Sequence, residues 1–279
     1  MRFALVYIAL MTSGSVYAAP QQSKPNIPVE AVSYPVLADF ALASKVTAHV
    51  RIRSVRALKA ELAVGTRPGF QRQLVTADVI SLIRAPEGQP AQLRYIVDLP
   101  LDSRGRVPKL RGTESLVFAT PARPGELRLI SPESWVTWTP DADATVRAIL
   151  TEAMQPDAPP LVRGINSAFH SPGSLPGEGE TQIFLDAADN RPASLTVQRR
   201  PDEAPRWFVS LGEVVDEGVS QPAVNSLLWY RLACFLPQQM PDRIVEGQDP
   251  ADAQQVRSDY AMIMQALGPC NRSRGPATR

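Results

Sequence analysis
Histidine is almost missing from this sequence. Two occur in 279 residues, His49 and His170. Neither has a second ligand two to five positions on, so a zinc site fails on ligand count. Cysteine is equally sparse, with Cys234 and Cys270 alone and no C-x-x-C pair. Lysine is limited to Lys24, Lys45, Lys59 and Lys109, so nearly all the basic charge is arginine. No glycine-rich phosphate loop and no G-x-S-x-G elbow is present. Spacing alone does not decide a Ser-His-Asp triad, because triad order varies, but nothing here marks a nucleophile. No apolar run of 18 residues exists, so no membrane anchor is expected after processing of the N-terminus.

The N-terminus does carry a pattern. Arg2 supplies a positive start, Phe3 to Met11 is an apolar run, and Val16-Tyr17-Ala18 is a cleavage-type tripeptide. This is the tripartite layout of a secretory signal. Nine apolar residues span about 14 Å as a helix, too short for a hydrocarbon core of roughly 30 Å. Residues 1–18 are therefore read as a signal peptide cut between Ala18 and Ala19, which places the product in the periplasm or outside the cell. Cleavage removes one arginine and no acid, leaving 28 basic and 28 acidic side chains. That balance offers no electrostatic case for nucleic acid or an anionic membrane. In an oxidising compartment two cysteines imply one disulfide, Cys234 to Cys270.

Residues 19–34 are polar and proline-rich and read as a flexible lead-in. Period-two alternation then marks strands. Val46, Ala48, Val50 and Ile52 share one face, with Thr47, His49, Arg51 and Arg53 on the other. Further strands fall at Val75 to Arg84, Leu93 to Leu99 and Ser115 to Thr120. A fifth, interrupted strand covers Glu126 to Ile130 and Ser134 to Thr139. Val146, Ile149, Leu150 and Ala153 mark a helix, with Thr139 or Asp141 as N-cap. The fold class expected is β plus α+β: a five-stranded OB-like β-barrel with a C-terminal helix over 35–154, then an α+β domain over 161–270.

Gln155 to Pro160 reads as the linker between the two. In the second unit Leu161 to Phe169 reads as a short helix and Ser171 to Glu180 as a loop. Thr181 to Leu185, Ala193 to Arg199 and Arg206 to Leu211 read as a three-stranded antiparallel meander. The stretch 224–236 is apolar nearly all round and must be a buried helix. Asp249, Pro250 and Gly268 bracket a final helix. Residues 271–279 read as a disordered tail.

Candidate chemistry is thin. Asp141-Ala142-Asp143-Ala144-Thr145 resembles motif I of the haloacid-dehalogenase-like phosphatases, but Pro140 precedes it and no lysine follows Lys109. An acidic helix N-terminus accounts for it. Glu178, Glu180, Glu213, Asp216 and Glu217 lie near strand ends, where paired carboxylates would suit glycoside hydrolysis. Trp135 and Trp138 have opposite parity on one strand, so one faces inward and the other offers a ring for stacking. His49, Arg51 and Arg53 sit together on a polar strand face, where they would form a small anion patch. These five are the candidate ligand-binding residues. No catalytic residue, metal or cofactor is assigned.

The segments Ala38 to Arg56 (ADFALASKVTAHVRIRSVR), Val75 to Arg84 and Arg111 to Thr120 (RGTESLVFAT) resemble exported bacterial barrels of the netrin/tissue-inhibitor-of-metalloproteinase-like kind over residues 35–155. The resemblance implies an OB-type barrel with a ligand-binding face. It does not imply metalloproteinase inhibition, because no cysteine precedes Cys234. The functional expectation is a non-catalytic binding module of the cell envelope, its partner an envelope protein or polysaccharide. A hydrolase using the second-unit carboxylates is the alternative.

Overall fold
A computed structural model describes residues 30–212 and 219–276. The expected signal peptide and its expected cleavage point at Ala18 and Ala19, most of the expected lead-in, and Glu213, Asp216 and Glu217 lie outside the described residues. In chain order the elements are β1 (Glu30–Val32), α1 (Tyr34–Ala43), β2 (Val46–Ala57), β3 (Phe70–Arg84), β4 (Gln92–Pro100), β5 (Glu114–Arg123), β6 (Glu126–Leu129) and β7 (Trp135–Thr137). There follow α2 (Pro140–Ala153), β8 (Val162–Pro172), β9 (Gly179–Ala187), β10 (Ser194–Arg199), β11 (Arg206–Ser210) and β12 (Val219–Ser220). The last are α3 (Leu227–Ala233), α4 (Asp242–Val245), α5 (Pro250–Leu267) and β13 (Arg274–Pro276).

Strands β2, β3, β4, β6 and β5 lie side by side in that order, and β2 pairs back onto β5, closing a five-stranded barrel. All contacts are antiparallel except β4 to β6. This is the OB-like barrel expected from the alternation. Val46, Ala48, Val50 and Ile52 fill its interior with Leu93, Tyr95, Val97 and Leu99. The interrupted fifth strand is β6 plus β7. Both pair with β5, and the Ser134 hydroxyl holds the break between them by contacting the carbonyls of Phe118 and Ser131 at 2.9 Å each.

The outer face of β2 and β5 is covered over part of its length, although Arg51 and Arg53 on it are exposed. Thr47, His49, Leu116 and Phe118 are buried there. Helix α1 covers part of that face, with Phe40 5.5 Å from Phe118 between ring centroids. Sequence periodicity gave no sign of α1, because its side chains are apolar on nearly every side and no side chain caps it. Helix α2 starts as expected, with the Thr139 hydroxyl accepting from the Ala142 amide and Pro140 in the first turn.

Strands β8 to β11 form a four-stranded antiparallel meander, and the two-residue β12 joins its β11 edge. The three-stranded expectation is therefore one strand short. The residues read as a helix at Leu161 to Phe169 belong to β8. Register shifts at Val162/Gly164 and Ile165/Ser167 explain the error. They place the buried positions Val162, Ile165 and Ala168 three residues apart, which imitates a helical face. The expected loop shrinks to residues 173–178.

One apolar cluster runs from α1, α2 and the outer face of β5 through α3 and α5 to the inner face of the meander. The two units thus share a core across the proline-rich linker. Helix α3 is shorter than the 224–236 stretch but buried as expected, its N-terminus capped by Ser226. Helix α5 has Asp249 as its N-cap and Gly268 at its end with φ 71°. Cys234 and Cys270 are joined, with Sγ atoms 2.06 Å apart. Trp229 adds a second tie, its indole N–H donating to the Leu267 carbonyl at 2.7 Å.

The tail assigned to disorder is ordered through residue 276. β13 pairs with β1, so the two ends of the described chain meet. Arg272 donates to Asp39 at 2.7 Å, and the Tyr230 hydroxyl donates to the same carboxylate at 2.6 Å. A polar sequence of this kind is ordered only when a partner surface satisfies its backbone and charges.

Candidate binding site
The barrel is closed unevenly. β4 pairs with β3 along all nine of its residues but with β6 only at Arg94 and Tyr95. Gly125, at φ 73°, turns the chain into β6. Beyond Leu129 the Ser131–Ser134 bend carries the chain away to β7. β4 and β6 therefore splay, and a cleft with a cavity of about 470 Å³ opens on the outer face of β3, β4 and β6.

Its floor and walls are apolar: Leu74, Ile96, Leu127, Leu129, Ile130 and Pro132. Ile96 is 47 % exposed although it sits on the polar side of β4, between Arg94 and Asp98. Two ion pairs frame the cleft. Arg72 grips Asp98 through two bonds, 2.7 Å from Nε to Oδ1 and 2.9 Å from Nη2 to Oδ2. The buried Asp98 carboxylate raises the Arg72 guanidinium above its usual range. Arg94 donates to Glu126 at 2.9 Å. Arg128 lines the same cleft and is exposed. On the inner side of β4, the Tyr95 hydroxyl is buried with no hydrogen-bond partner among the described residues, and burial pushes its ionisation upward.

The residues singled out from sequence fall elsewhere. His49, Arg51 and Glu114 form one cluster: the His49 Nε2 lies 2.8 Å and the Arg51 Nη2 lies 2.7 Å from opposite oxygens of Glu114. The Arg51 and His49 contacts hold the Glu114 carboxyl below the usual carboxylate range against its partial burial. Arg53 donates to Asp78 at 3.0 Å. The structure thus matches each arginine of the expected anion patch with a carboxylate. Trp135 packs against the barrel interior and Trp138 against the shared core, on opposite sides of the strand, so the outward ring expected for stacking on a ligand is packed within the protein instead. Asp143 of the D-x-D-x-T stretch accepts from Arg147 at 2.6 Å and from the Trp138 indole at 3.3 Å.

In the second unit, Glu178 accepts from the amides of Ser174 and Leu175 at 3.0 and 3.2 Å, so it caps its own turn. Glu180 accepts from Gln182 and Gln198. His170 contacts the Thr181 hydroxyl at 2.9 Å, and that hydroxyl donates to the fully buried Asp259 at 2.5 Å. Arg199 and Gln255 complete the shell of Asp259. This network ties α5 to β9 and β10. Among the described residues no group of three or more His, Cys, Asp or Glu is placed to hold a metal ion. No helix among them is long and apolar enough to cross a membrane.

Neither motif nor spacing in the sequence singles out Ile96, Asp98 or Arg128. One signal was available: Ile96 breaks the polar face Gln92, Arg94, Asp98. The cleft itself was not legible, because it depends on where β6 leaves β4. No known protein family matches the chain, and no curated protein matches it either.

Proposed function
We propose that this protein is an exported, non-catalytic binding module of the cell envelope, periplasmic or secreted, whose ligand seats in the cleft between β4 and β6. The observation that carries this reading is the splayed strand pair, with an exposed isoleucine at its centre and ion pairs on its rim. Apolar pockets with a few fixed polar groups are where ligands bind. The faces of small OB-type barrels are used in this way, although fold alone does not name a ligand. Export is supported by the N-terminal signal pattern and by the paired cysteines.

The test is photocrosslinking in cells with a photoreactive residue at Ile96, and with Arg104 on an exposed loop as control. Species captured at Ile96 and not at Arg104 are the expected result. Equal or absent capture at both positions would overturn the cleft as the binding surface.

A further inference from the structure
The backbone of the cleft specifies more than an apolar ligand. Along a strand, amide and carbonyl of one residue point the same way and alternate from residue to residue. The Arg94 amide donates to the Gly125 carbonyl at 2.8 Å, so even-numbered residues of β4 face β6. The Leu101 amide, of opposite parity, donates to Gly69 on the β3 side at 2.8 Å. Asp98 therefore turns its amide and carbonyl into the cleft, where no described strand pairs with it. On the facing wall, the Ile130 amide goes to Phe118 at 3.2 Å, which turns the backbone of Leu129 toward the cleft. Two walls with unpaired ladder groups form a template for an added strand.

The side chains narrow the choice. Arg72 and Arg94 are matched by Asp98 and Glu126, whereas Arg128 is exposed and has no carboxylate partner among the described residues. The cleft thus carries one uncompensated positive charge beside Ile96. The aromatic ring lining it, Tyr95, is 2 % exposed, so no ring face is offered for stacking on a sugar. We infer that the cleft takes an extended peptide segment of a partner protein. The segment is apolar with one acidic residue, adds as a strand along β4 at Asp98, and sets its carboxylate on Arg128. This inference rests on the cleft being the binding surface.

The probe is a fluorescein-labelled heptapeptide of alternating valine and threonine with one central glutamate. Two further versions are N-methylated on alternate amides, one for each strand edge. Fluorescence anisotropy with the mature protein is expected to show binding by the parent peptide. At least one methylated version should bind ten or more times more weakly. Arg128→Glu, on the surface, should weaken the parent peptide at least fivefold, and a glutamate-to-lysine peptide should regain that loss. Equal binding of parent and both methylated versions would overturn strand addition, as would indifference to Arg128→Glu. So would binding of soluble glycan fragments with no peptide binding. If Ile96 crosslinking still captures a partner in those cases, the cleft stands and the strand falls; if it captures nothing, both fall.

Discussion

The imidazole of His49 lies flat on the indole of Trp138, with ring centroids 4.5 Å apart and planes within 4°. Sequence alone makes them separate ligand-binding candidates on two different strands. In the folded chain they are partners, and Trp138 roofs a histidine that is 7 % exposed.

Trp138→Ala should remove this roof and part of the contact between barrel and helices. Truncating a half-buried tryptophan costs about 2 kcal/mol, less than the value for a fully buried one. Urea unfolding would measure it. A change under about 0.5 kcal/mol would mean that the stack contributes nothing to the fold. Peptide binding in the β4–β6 cleft should be unaffected.

Glu114 links stability to pH. Its carboxyl is held low by Arg51 and His49. A carboxyl with a depressed folded pKa contributes stability above its unfolded value near 4.3, and loses it as pH falls through the folded value. Glu114→Gln is expected to be about 1 kcal/mol less stable than the natural chain at pH 7, since Arg51 is largely exposed and screened. The gap should close as pH drops below about 4. Thermal melts across that range would reveal it, and a gap unchanged down to pH 3 would contradict the assignment.

Asp259 is fully buried against Arg199 and Thr181. Removing one member of such a pair leaves the other without its counter-charge, at a cost of about 3 kcal/mol. Asp259→Ala should lose this amount in denaturant unfolding. Arg199→Met together with Asp259→Leu should lose clearly less, because neither charge is then stranded. Equal losses would show that a stranded charge is not the source of the cost.

The bond between Cys234 and Cys270 closes a sequence separation of 36 residues. By loop entropy that stabilises the fold by up to about 4 kcal/mol. Purified protein should show no free thiol before reduction and two after it. Exchanging both cysteines for serine should lower the unfolding midpoint and free the end of α5 first, visible as faster amide exchange near Leu267. Two titratable thiols in the unreduced protein would refute the pairing.

Much of the fold was legible because its patterns are local. Val46 to Ile52 alternate strictly, so their strand and its inner face follow from the two-residue period. Asp249, Pro250 and Gly268 place a helix between them by capping chemistry alone. The cysteines pair as two cysteines alone in a chain expected to meet an oxidising compartment should. β8 shows the limit: two bulges turned its core positions into a three-residue spacing, and only its ladder with β9 reveals a strand. α1 was equally hidden, since a helix buried nearly all round has no amphipathic period.

By itself, then, the sequence determined the barrel strands, the helix caps, the opposite facing of Trp135 and Trp138 and the identity of the joined cysteines. Each depends on neighbours a few residues away or on pairing with no rival. The tertiary structure decided which charges neutralise one another, that the two units share a core, and that residues 274–276 form a strand. It also decided where β6 parts from β4. The cleft exists because the Ser134 hydroxyl bends one strand away while β3 keeps hold of the other. Those two causes lie far apart in the chain, and only the closed barrel sets them on either side of Ile96.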